Sequence, residues 1–450
     1  MAAERLRHFG VLSFTGTGHL SAMVTLGLEL QERGHRVTVF EKPKIERRIR
    51  EAGLGFHAVG TQESPFKGKG PDLEGGGILS ELRTLRFNIR RIRHDLERYF
   101  SETEPALREA GVDALIVNEI AITGPTLAEL LGLPYIIIST SVPHNFGWNS
   151  YPAFSGYRYR RTLFSGFAAA LLNVSAVKLH GPIRAAVNRY RAKRGLAPVR
   201  GINPAYPPVA RLTQLPECLD LPQEHRPVNF HYTGPFTRDE ERTDIEFPWG
   251  ELDGRPVIYA SLGTTRNSQA HVLRMIAEAC KDIRAQLVIS LGGRFDAATF
   301  GAWPGSPLVV EFAPQLEVLK RASLVITHSG PNTVFEALME GKPMVAIPIA
   351  HDQPAIAARI ARLGVAEVLP IMKLSVPMIQ ETVAQVLVNP SYRRAAEETQ
   401  KKLRVLRGVE RAAEIIDDAL AQQRSKPGVD RSQFETNEAL FQALVASGRG

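Results

Sequence analysis

The fold is indicated by residues 9–40, which read FGVLSFTGTGHLSAMVTLGLELQERGHRVTVF. The short apolar run Phe9–Phe14 predicts a buried strand, and the glycines of Gly16–Gly18 end it. Apolar residues then recur at helical spacing over His19–Arg33, and Arg36–Phe40 predicts the next strand. A strand, a helix and a second strand in this order are typical of a parallel sheet covered by helices.

The same alternation continues through the chain. Two more strands are predicted at Asp113–Val117 and Tyr135–Ser139, on either side of a helix over Gly124–Leu131. Further predicted strands are Pro256–Ser261, Leu287–Leu291, Leu308–Glu311, Leu324–Thr327 and Pro343–Ile347.

The stretch Tyr232–Gly254 is rich in proline, glycine and charge, so we predict a domain boundary there. The fold class is α/β, with two Rossmann-like parallel-sheet domains that face each other across a cleft. We expect one domain over residues 1–235, a second over 236–425 and a tail over 426–450. Because ligands of open parallel sheets bind beyond the carboxyl ends of the strands, the cleft between the domains is the expected site.

Composition excludes several classes of protein. The chain has 450 residues, of which 44% are apolar and 23% charged, so it is neither disordered nor collagen-like. Cys218 and Cys280 stand far apart, which excludes a disulfide framework and a zinc site and suits a reducing cytosol. The charged N-terminus does not read as a signal peptide, and Leu163–Val177 is too short to span a bilayer. We therefore expect a cytoplasmic protein.

The net charge of +8 is concentrated in one segment. Leu130–Pro216 contains no Asp or Glu and carries eleven Lys or Arg residues. Such a surface attracts anionic lipid headgroups or nucleic acid, although an ordinary solvated basic face would look the same. We expect peripheral contact with an anionic membrane and no nucleic-acid partner.

The loop Gly16–Gly18 imitates a dinucleotide-binding fingerprint, but Ser21 stands where the third glycine belongs. We therefore expect no nicotinamide and no other resident cofactor. The remaining feature is His19, an imidazole at a helix start. A helix N-terminus disfavours a protonated histidine, so it lowers the pKa and favours a general base. A purely structural helix-start histidine is the alternative.

A second constellation surrounds the strand that ends at Thr327. Pro331 suits the first turn of a helix, whose free N–H groups and dipole make an anion site. The polar residues and glycine at this helix start are His328, Ser329, Gly330, Asn332 and Thr333. Glu336 lies one turn further on, where a carboxylate can accept two ribose hydroxyls.

Three other residues complete a set of partners for a nucleotide sugar. Asp352 and Gln353 follow another predicted strand and suit the hydroxyls of a sugar. Phe312 offers a flat face for a base. Base, ribose, diphosphate and sugar therefore each find a partner of suitable chemistry.

These residues resemble the nucleotide-sugar signature of family 1 glycosyltransferases, the UDP-glycosyltransferases with the GT-B fold. The resemblance covers the chain from Phe9 to about Ala421. It implies donor-binding roles for Phe312 and Gln315 at the nucleoside, for His328, Ser329, Gly330, Asn332 and Thr333 at the diphosphate, for Glu336 at the ribose, for Asp352 and Gln353 at the sugar, and for Ser261, Gly263 and Thr264 on the diphosphate side.

The strings Gly55–Thr61 and Gly132–Ile136 look most like bacterial zeaxanthin glucosyltransferases. That resemblance implies an inverting, metal-independent transfer of glucose from UDP-glucose to an apolar hydroxylated acceptor such as a carotenoid. The alternatives are an enzyme for soluble aglycones (flavonoids, phenols or macrolides) and a catalytically weak UDP-sugar-binding protein. Phe146 and Trp148 begin an aromatic segment that either lines an acceptor pocket or packs a helical subdomain.

One position departs from the family pattern. The family has an aspartate bonded to the catalytic histidine, and this chain has Asn118 at the matching position. An amide oxygen can orient an imidazole but cannot stabilise its cation by charge. Glu119 is the alternative partner, although on a strand its side chain points to the other face. The sequence leaves both residues open as the support of His19.

Overall fold

The computed structural model describes residues 6–14, 16–61, 78–144, 180–199, 206–222, 226, 229–238, 245–263, 270–293 and 301–423, without the side chains of 78–85 and 88. This part of the chain forms two parallel β-sheets covered by helices. The expected fold class, two Rossmann-like domains of the GT-B type, is confirmed.

The first sheet has the strand order β3-β2-β1-β4-β5-β6-β7, and all its pairings are parallel. Its strands are β1 (His8–Leu12), β2 (Arg36–Glu41), β3 (Gly55–Ala58), β4 (Ala114–Asn118), β5 (Tyr135–Ser139), β6 (Ala210–Thr213) and β7 (Phe230–Tyr232). Its described helices are α1 (Thr17–Glu32), α2 (Glu46–Glu51), α3 (Ile78–Ala110), α4 (Gly124–Leu131) and α5 (Gly181–Lys193).

The second sheet has the order β10-β9-β8-β11-β12-β13, also parallel throughout. Its strands are β8 (Val257–Ser261), β9 (Gln286–Ser290), β10 (Leu308–Val310), β11 (Ala322–Thr327), β12 (Met344–Ala346) and β13 (Ala366–Val368). The helices of this half are α6 (Ala270–Cys280), α7 (Gln315–Arg321), α8 (Pro331–Met339), α9 (Gln353–Arg362), α10 (Val376–Val388), α11 (Pro390–Arg404) and α12 (Gly408–Gln423).

All nine predicted strands are present within a few residues of their expected bounds, and the helix Gly124–Leu131 matches α4. Sequence reasoning missed β3, β6, β7 and β13. Each has only three or four residues, and the apolar pattern of β6 is interrupted by Arg211. Such strands form because longer neighbours supply their hydrogen-bonding partners, so short-range periodicity does not reveal them.

The last described helix, α12, packs against the first half of the molecule. Along α12, Val409 and Ile416 belong to the hydrophobic core that α1 and β1 build in the first half. Asp417 of the same helix accepts a hydrogen bond from Nε2 of His35 at 3.0 Å. The chain therefore returns across both halves, and the domain division after residue 235 stays a prediction.

A buried ion pair joins the two halves near the cleft. Nε and Nη2 of Arg359, on α9, donate to Oδ1 of Asp220, after β6, at 3.1 and 2.8 Å. The side chains are only 3% and 1% exposed. The hydroxyl of Tyr232 donates to the other carboxylate oxygen at 2.6 Å. Because each charge is fully partnered, the pair fixes where α9 sits relative to the first sheet.

Replacing Asp220 by Ala should lower the free energy of unfolding by about 3–5 kcal/mol, because the Arg359 cation would stay buried without its partner. Urea unfolding followed by circular dichroism measures the change. Glu51→Ala is the matched control, since it breaks an Arg47–Glu51 pair whose side chains are 89% and 63% exposed. That control should cost less than about 1 kcal/mol. Equal losses in both variants would contradict the assigned role of the buried pair.

Candidate active site

His19 lies in the first turn of α1, just beyond the carboxyl end of β1. The helix begins after Gly16, which offers no side chain to cap the free amide groups. Nδ1 of the imidazole lies 2.5 Å from Oγ1 of Thr140, and the ring packs edge-on against Phe14. Nε2 has no hydrogen-bond partner among the described residues, so it is the nitrogen left for an incoming hydroxyl.

The surroundings of His19 keep its imidazole neutral. Burial is the largest effect, and it lowers the pKa of His19 below its usual value of 6.5. The carboxylates of Asp352 and Glu119 act in the opposite direction, while His144 and His351 lower the pKa further. A neutral imidazole at neutral pH is the form that a general base needs.

Neither residue expected to support His19 touches it directly. Oδ1 of Asn118 accepts the backbone N–H of Ile120 at 3.2 Å, and Nδ2 donates to Oγ1 of Thr140 at 3.2 Å. The carboxylate of Glu119 accepts the backbone N–H of His144 at 3.1 and 3.2 Å. Asn118 therefore reaches His19 through a hydroxyl that sequence reasoning missed. Its position directly after the predicted strand Tyr135–Ser139 was the available signal.

His328 stands between two glycines at the start of α8. A Cβ atom added to Gly263 or to Gly330 would lie 2.6–2.7 Å from the imidazole, so only glycine admits the ring there. Burial lowers the pKa of His328 to about 4. A buried neutral ring can donate an N–H to an anion, and the two glycines bring backbone N–H groups close to the same place.

Two buried polar atoms, one in this ring and one in the next residue, form no hydrogen bond within the described part of the chain. They are Nδ1 of His328 and Oγ of Ser329, a residue that is completely buried and has a φ of +67°. The start of α8 adds the amide groups of Asn332 and Thr333, since Gly330 gives the helix no side-chain cap. Unsatisfied buried polar atoms at a helix N-terminus are suited to bind an anion, and the anion site stays a prediction.

The carboxylate expected at the ribose is held in a network. Oε2 of Glu336 accepts Nε2 of Gln315 at 2.5 Å, and the hydroxyl of Tyr259 donates to Oε1 of Gln315 at 3.1 Å. Thr333 lies 3.4 Å from the same amide nitrogen. Gln315 and Glu336 thus lie together at one wall of the cleft, and Tyr259 is a supporting residue that sequence reasoning missed.

Phe312 presents one face to solvent. A Cβ atom at Gly293 would lie 1.7 Å from the phenyl ring, so the ring lies directly on this glycine. The side chain is 49% exposed. A supported ring with an open face is suited to stack on a flat ligand such as a nucleobase.

Asp352 connects the two halves of the site. Its carboxylate accepts a hydrogen bond from the hydroxyl of Ser141, and its charge acts on both His19 and His328. Gln353, the next residue, accepts the backbone N–H groups of residues 349 and 350 at 2.8 and 2.9 Å. The structure therefore brings the loop of Asp352 and Gln353 close to both imidazoles.

A second bridge runs through Asn332. Its Nδ2 donates to the carbonyl of Gly18 at 3.3 Å, and its Oδ1 accepts Nε2 of Gln214 at 3.4 Å. The start of α8 and the start of α1 are thus in contact, which places the anion site next to His19.

Three of the expected site residues lie outside the described residues: Thr264, Phe146 and Trp148. Ser261 ends β8 and Gly263 follows it, so the diphosphate-side loop is described up to that point. Among the described residues, no group of three or more His, Cys, Asp or Glu side chains could hold a metal ion. No described helix is long and apolar enough to cross a membrane.

Two parallel sheets, with His19 beyond a strand end of one and the uncapped start of α8 beyond a strand end of the other, are arranged as in the GT-B fold. Comparison with known families gives the same answer: residues 235–401 match the family described as UDP-glucoronosyl and UDP-glucosyl transferase. Residues 235–401 are thus similar to this UDP-glycosyltransferase family, and the protein is a glycosyltransferase.

Relatives of known name agree with that assignment. The chain is 28% identical to a zeaxanthin glucosyltransferase of Pantoea ananas, over 92% of this chain and 96% of that one. It is 24% identical to a demethyllactenocin mycarosyltransferase of Streptomyces fradiae, over 93% and 87% of the two chains. The solved structure of the glycotransferase of kitacinnamycin has the same fold, with a TM-score of 0.70, 23% identity and coverage of 92% and 99%.

Gly263→Ala should weaken UDP binding about 10- to 100-fold, the loss of roughly one hydrogen bond to a charged group. The reason is the contact of 2.7 Å that its Cβ would make with the His328 ring. Gly254→Ala is the matched control, because Gly254 has a similar φ of +84° with nothing within 4 Å of its Cβ. Calorimetry with UDP measures both affinities. Equal weakening in the two variants would attribute the effect to backbone strain instead of the displaced imidazole.

Proposed function

We propose that the protein transfers a glucosyl group from UDP-glucose to a hydroxyl group of an apolar acceptor, with inversion at the anomeric carbon. The observation that carries the proposal is the position of Asp352. Its carboxylate acts on the imidazoles of both His19 and His328. A sugar held by this loop would therefore lie between a base and an anion site.

The reaction follows from these positions. Nε2 of His19 takes the proton of the acceptor hydroxyl, and the oxygen attacks the anomeric carbon from the side opposite the diphosphate. The bond from the anomeric carbon to the diphosphate oxygen breaks, and UDP leaves with the electron pair. The proton on His19 then passes to solvent. Attack from the opposite side converts an α-linked donor into a β-glycoside.

In the described part of the donor half, backbone N–H groups and a neutral imidazole are the groups that would stabilise charge on the diphosphate, and Arg266 lies outside the described residues. The N–H groups at the start of α8 and the neutral His328 face the place where negative charge grows. In this proposal Ser329, Asn332 and Thr333 add polar groups at the diphosphate. Phe312 stacks on uracil, Gln315 and Glu336 hold the nucleoside, and Asp352 with Gln353 holds the sugar.

The acceptor class rests on the relatives. Similarity to a zeaxanthin glucosyltransferase over 92% of this chain supports a hydroxylated carotenoid as the acceptor. Phe146 and Trp148 are the proposed acceptor contacts on the sequence evidence, since aromatic side chains suit a long apolar molecule. A soluble natural-product aglycone is the second candidate, supported by the similarity to a mycarosyltransferase.

A transfer screen tests the proposal. UDP-glucose is offered with hydroxylated carotenoids, phenols and macrolides, and glucosides are measured by mass spectrometry. His19→Ala should reduce transfer about 10²–10⁴-fold, the usual contribution of a general base, and leave UDP affinity nearly unchanged. Products from carotenoids support the first candidate, and products from phenols or macrolides alone support the second.

Two results would contradict the mechanism or the activity. Near-normal turnover of His19→Ala would make His19 a structural helix-start residue. UDP binding without transfer to any acceptor would favour a UDP-sugar-binding protein.

Charge pairing bears on the proposed membrane contact. In the described part of the basic segment, Arg191 pairs with Glu129 at 2.8 Å and Arg194 with Glu104 at 2.7 Å. Arg189 and Lys193 share Glu97 at 3.9 and 3.7 Å. The acidic partners lie on α3 and α4, outside the segment itself. These pairs partly neutralise four of the eleven cations of the segment, five of which lie outside the described residues.

Exposed cations that form no ion pair with another described residue lie on α3. Arg86, Arg90 and Arg93 are exposed, are spaced i, i+4 and i+7, and form no ion pair with another described residue. Residues at this spacing share one face of a helix. We propose that this arginine face contacts an anionic membrane surface. We also propose that the enzyme is cytoplasmic, which agrees with its two free cysteine thiols.

Flotation with liposomes tests the membrane contact. Binding should favour anionic over neutral liposomes and fade with salt, because each arginine near the surface contributes about 1 kcal/mol. Replacing Arg86, Arg90 and Arg93 together by Glu should abolish it. The matched control reverses three exposed cations of α11: Lys401, Lys402 and Arg404. Equal loss of binding in both triple variants would show that only the net charge of the protein matters. If the wild type binds neither kind of liposome, the proposed membrane contact is wrong.

A further inference from the structure

The support of His19 is a chain of two neutral hydrogen bonds. Oγ1 of Thr140 lies 2.5 Å from Nδ1 of His19 and 3.2 Å from Nδ2 of Asn118. Asn118 and Thr140 are 1% and 4% exposed, so water does not compete for these contacts. The hydroxyl of Thr140 therefore stands where a carboxylate would otherwise meet the imidazole.

The orientation of the Asn118 amide makes Thr140 an acceptor on one side and leaves it two possible roles toward His19. The backbone N–H of Ile120 can only donate, so the atom of Asn118 that faces it at 3.2 Å is the carbonyl oxygen. The amide nitrogen then faces Thr140 and donates to its oxygen. One lone pair of Thr140 is thereby occupied by Asn118.

The second lone pair of Thr140 can accept Nδ1–H of His19. A hydroxyl has one hydrogen and two lone pairs, so both N–H groups can be accepted at once. A histidine with its proton on Nδ1 has a free lone pair on Nε2, the form that can take the proton of an acceptor hydroxyl. The opposite arrangement, with the Thr140 hydroxyl donating to Nδ1, would leave Nε2 protonated and unable to act as a base.

We propose that Thr140 is the positioning residue of the general base and that it holds His19 in the tautomer with its proton on Nδ1, with Asn118 orienting the hydroxyl. The role in transfer rests on the proposed function, whereas the tautomer is a property of the resting protein.

The backbone around Thr140 is fixed as such a role requires. Nε2 of Gln214 donates to the carbonyl oxygen of Thr140, and the backbone N–H of Gln214 donates to the carbonyl of Ser139 at 3.1 Å. Gln214 is 1% exposed, and its amide also reaches Asn332 at the donor side. The backbone that carries the Thr140 hydroxyl is thus held in place between His19 and the start of α8.

The two hydrogen bonds of Thr140 with Asn118 and with His19 orient the imidazole without adding charge. A carboxylate at position 118 would accept the hydroxyl hydrogen of Thr140 and would stabilise the imidazolium that forms during transfer. Asn118 can only donate through its nitrogen. The charged groups that act on His19 are instead Asp352, Glu119 and the two histidines of the adjoining loops.

Thr140→Val is the first test, because valine keeps the shape and removes the hydroxyl. We expect kcat to fall about 10- to 100-fold, below the full contribution of a general base, with little change in KM for UDP-glucose. Thr140→Ser restores the hydroxyl and should recover most of the rate. Thr38→Val is the matched control, since it breaks another buried histidine–threonine contact, 2.8 Å from His8, on the same sheet.

Asn118→Asp tests the second link. It should move the acid limb of the pH profile of kcat/KM to higher pH by about one unit, because a carboxylate stabilises the protonated imidazole and so raises the pKa of His19. It should also raise kcat on the alkaline plateau. In the double variant with Thr140→Val this gain in kcat should disappear. A gain of equal size in both backgrounds would show that the carboxylate acts without Thr140.

Nitrogen NMR of histidine-labelled protein reads the tautomer without any turnover, and His19→Ala assigns the signal. The neutral ring should carry its proton on Nδ1 in the wild type and should lose that preference in Thr140→Val. A proton on Nε2 in the wild type, or an unchanged tautomer together with unchanged kcat in Thr140→Val, overturns the inference. Absence of transfer by the wild type counts against the proposed function alone, and the NMR result still decides the role of Thr140.

Discussion

The arrangement of the cleft depends on the buried ion pair between Asp220 and Arg359. Arg359 lies on α9, and the residue that precedes this helix is Asp352, whose carboxylate acts on both imidazoles of the site. Two desolvated charges tolerate very little displacement from each other, so the pair fixes the helix against the first sheet. The contacts of Asp352 with Ser141 and of Asn332 with Gly18 follow from that placement.

The electrostatics of the site rely on neutral groups aimed at an anion. Burial lowers the pKa of His328 to about 4, so near neutral pH the ring carries no charge. His19 is neutral for the same reason, at the start of another helix. In the proposed reaction, the described donor side would offer dipoles and N–H groups to a diphosphate, and His19 would act as the base close by. Both sides use helix starts without side-chain caps, where the backbone itself supplies the positive end.

The position of Asn118 shows how a site can keep its geometry after the loss of a charge. The amide, the hydroxyl of Thr140 and the ring of His19 form one hydrogen-bonded line between β4, β5 and α1. In the proposed arrangement, orientation is retained because the N–H groups of Asn118 and His19 both meet the hydroxyl oxygen of Thr140. The charge that would favour the imidazolium comes from Asp352 and Glu119 on neighbouring loops, so base strength depends on groups from both halves of the molecule.

The sequence by itself determined the fold class, nine strands and the resemblance to UDP-glycosyltransferases, because each follows from local periodicity or from a motif within a few turns of chain. It could not place Thr140, Ser141, Gln214 or Tyr259, whose partners lie up to 211 residues away. It expected free charge on the basic segment, where α3 and α4 supply compensating carboxylates. Only the tertiary structure decided that Asn118 reaches His19 through a hydroxyl and that Glu119 binds the backbone of His144. The reason is physical: the hydrogen-bond partners of a buried polar group are set by the packing of distant strands, which no local pattern encodes.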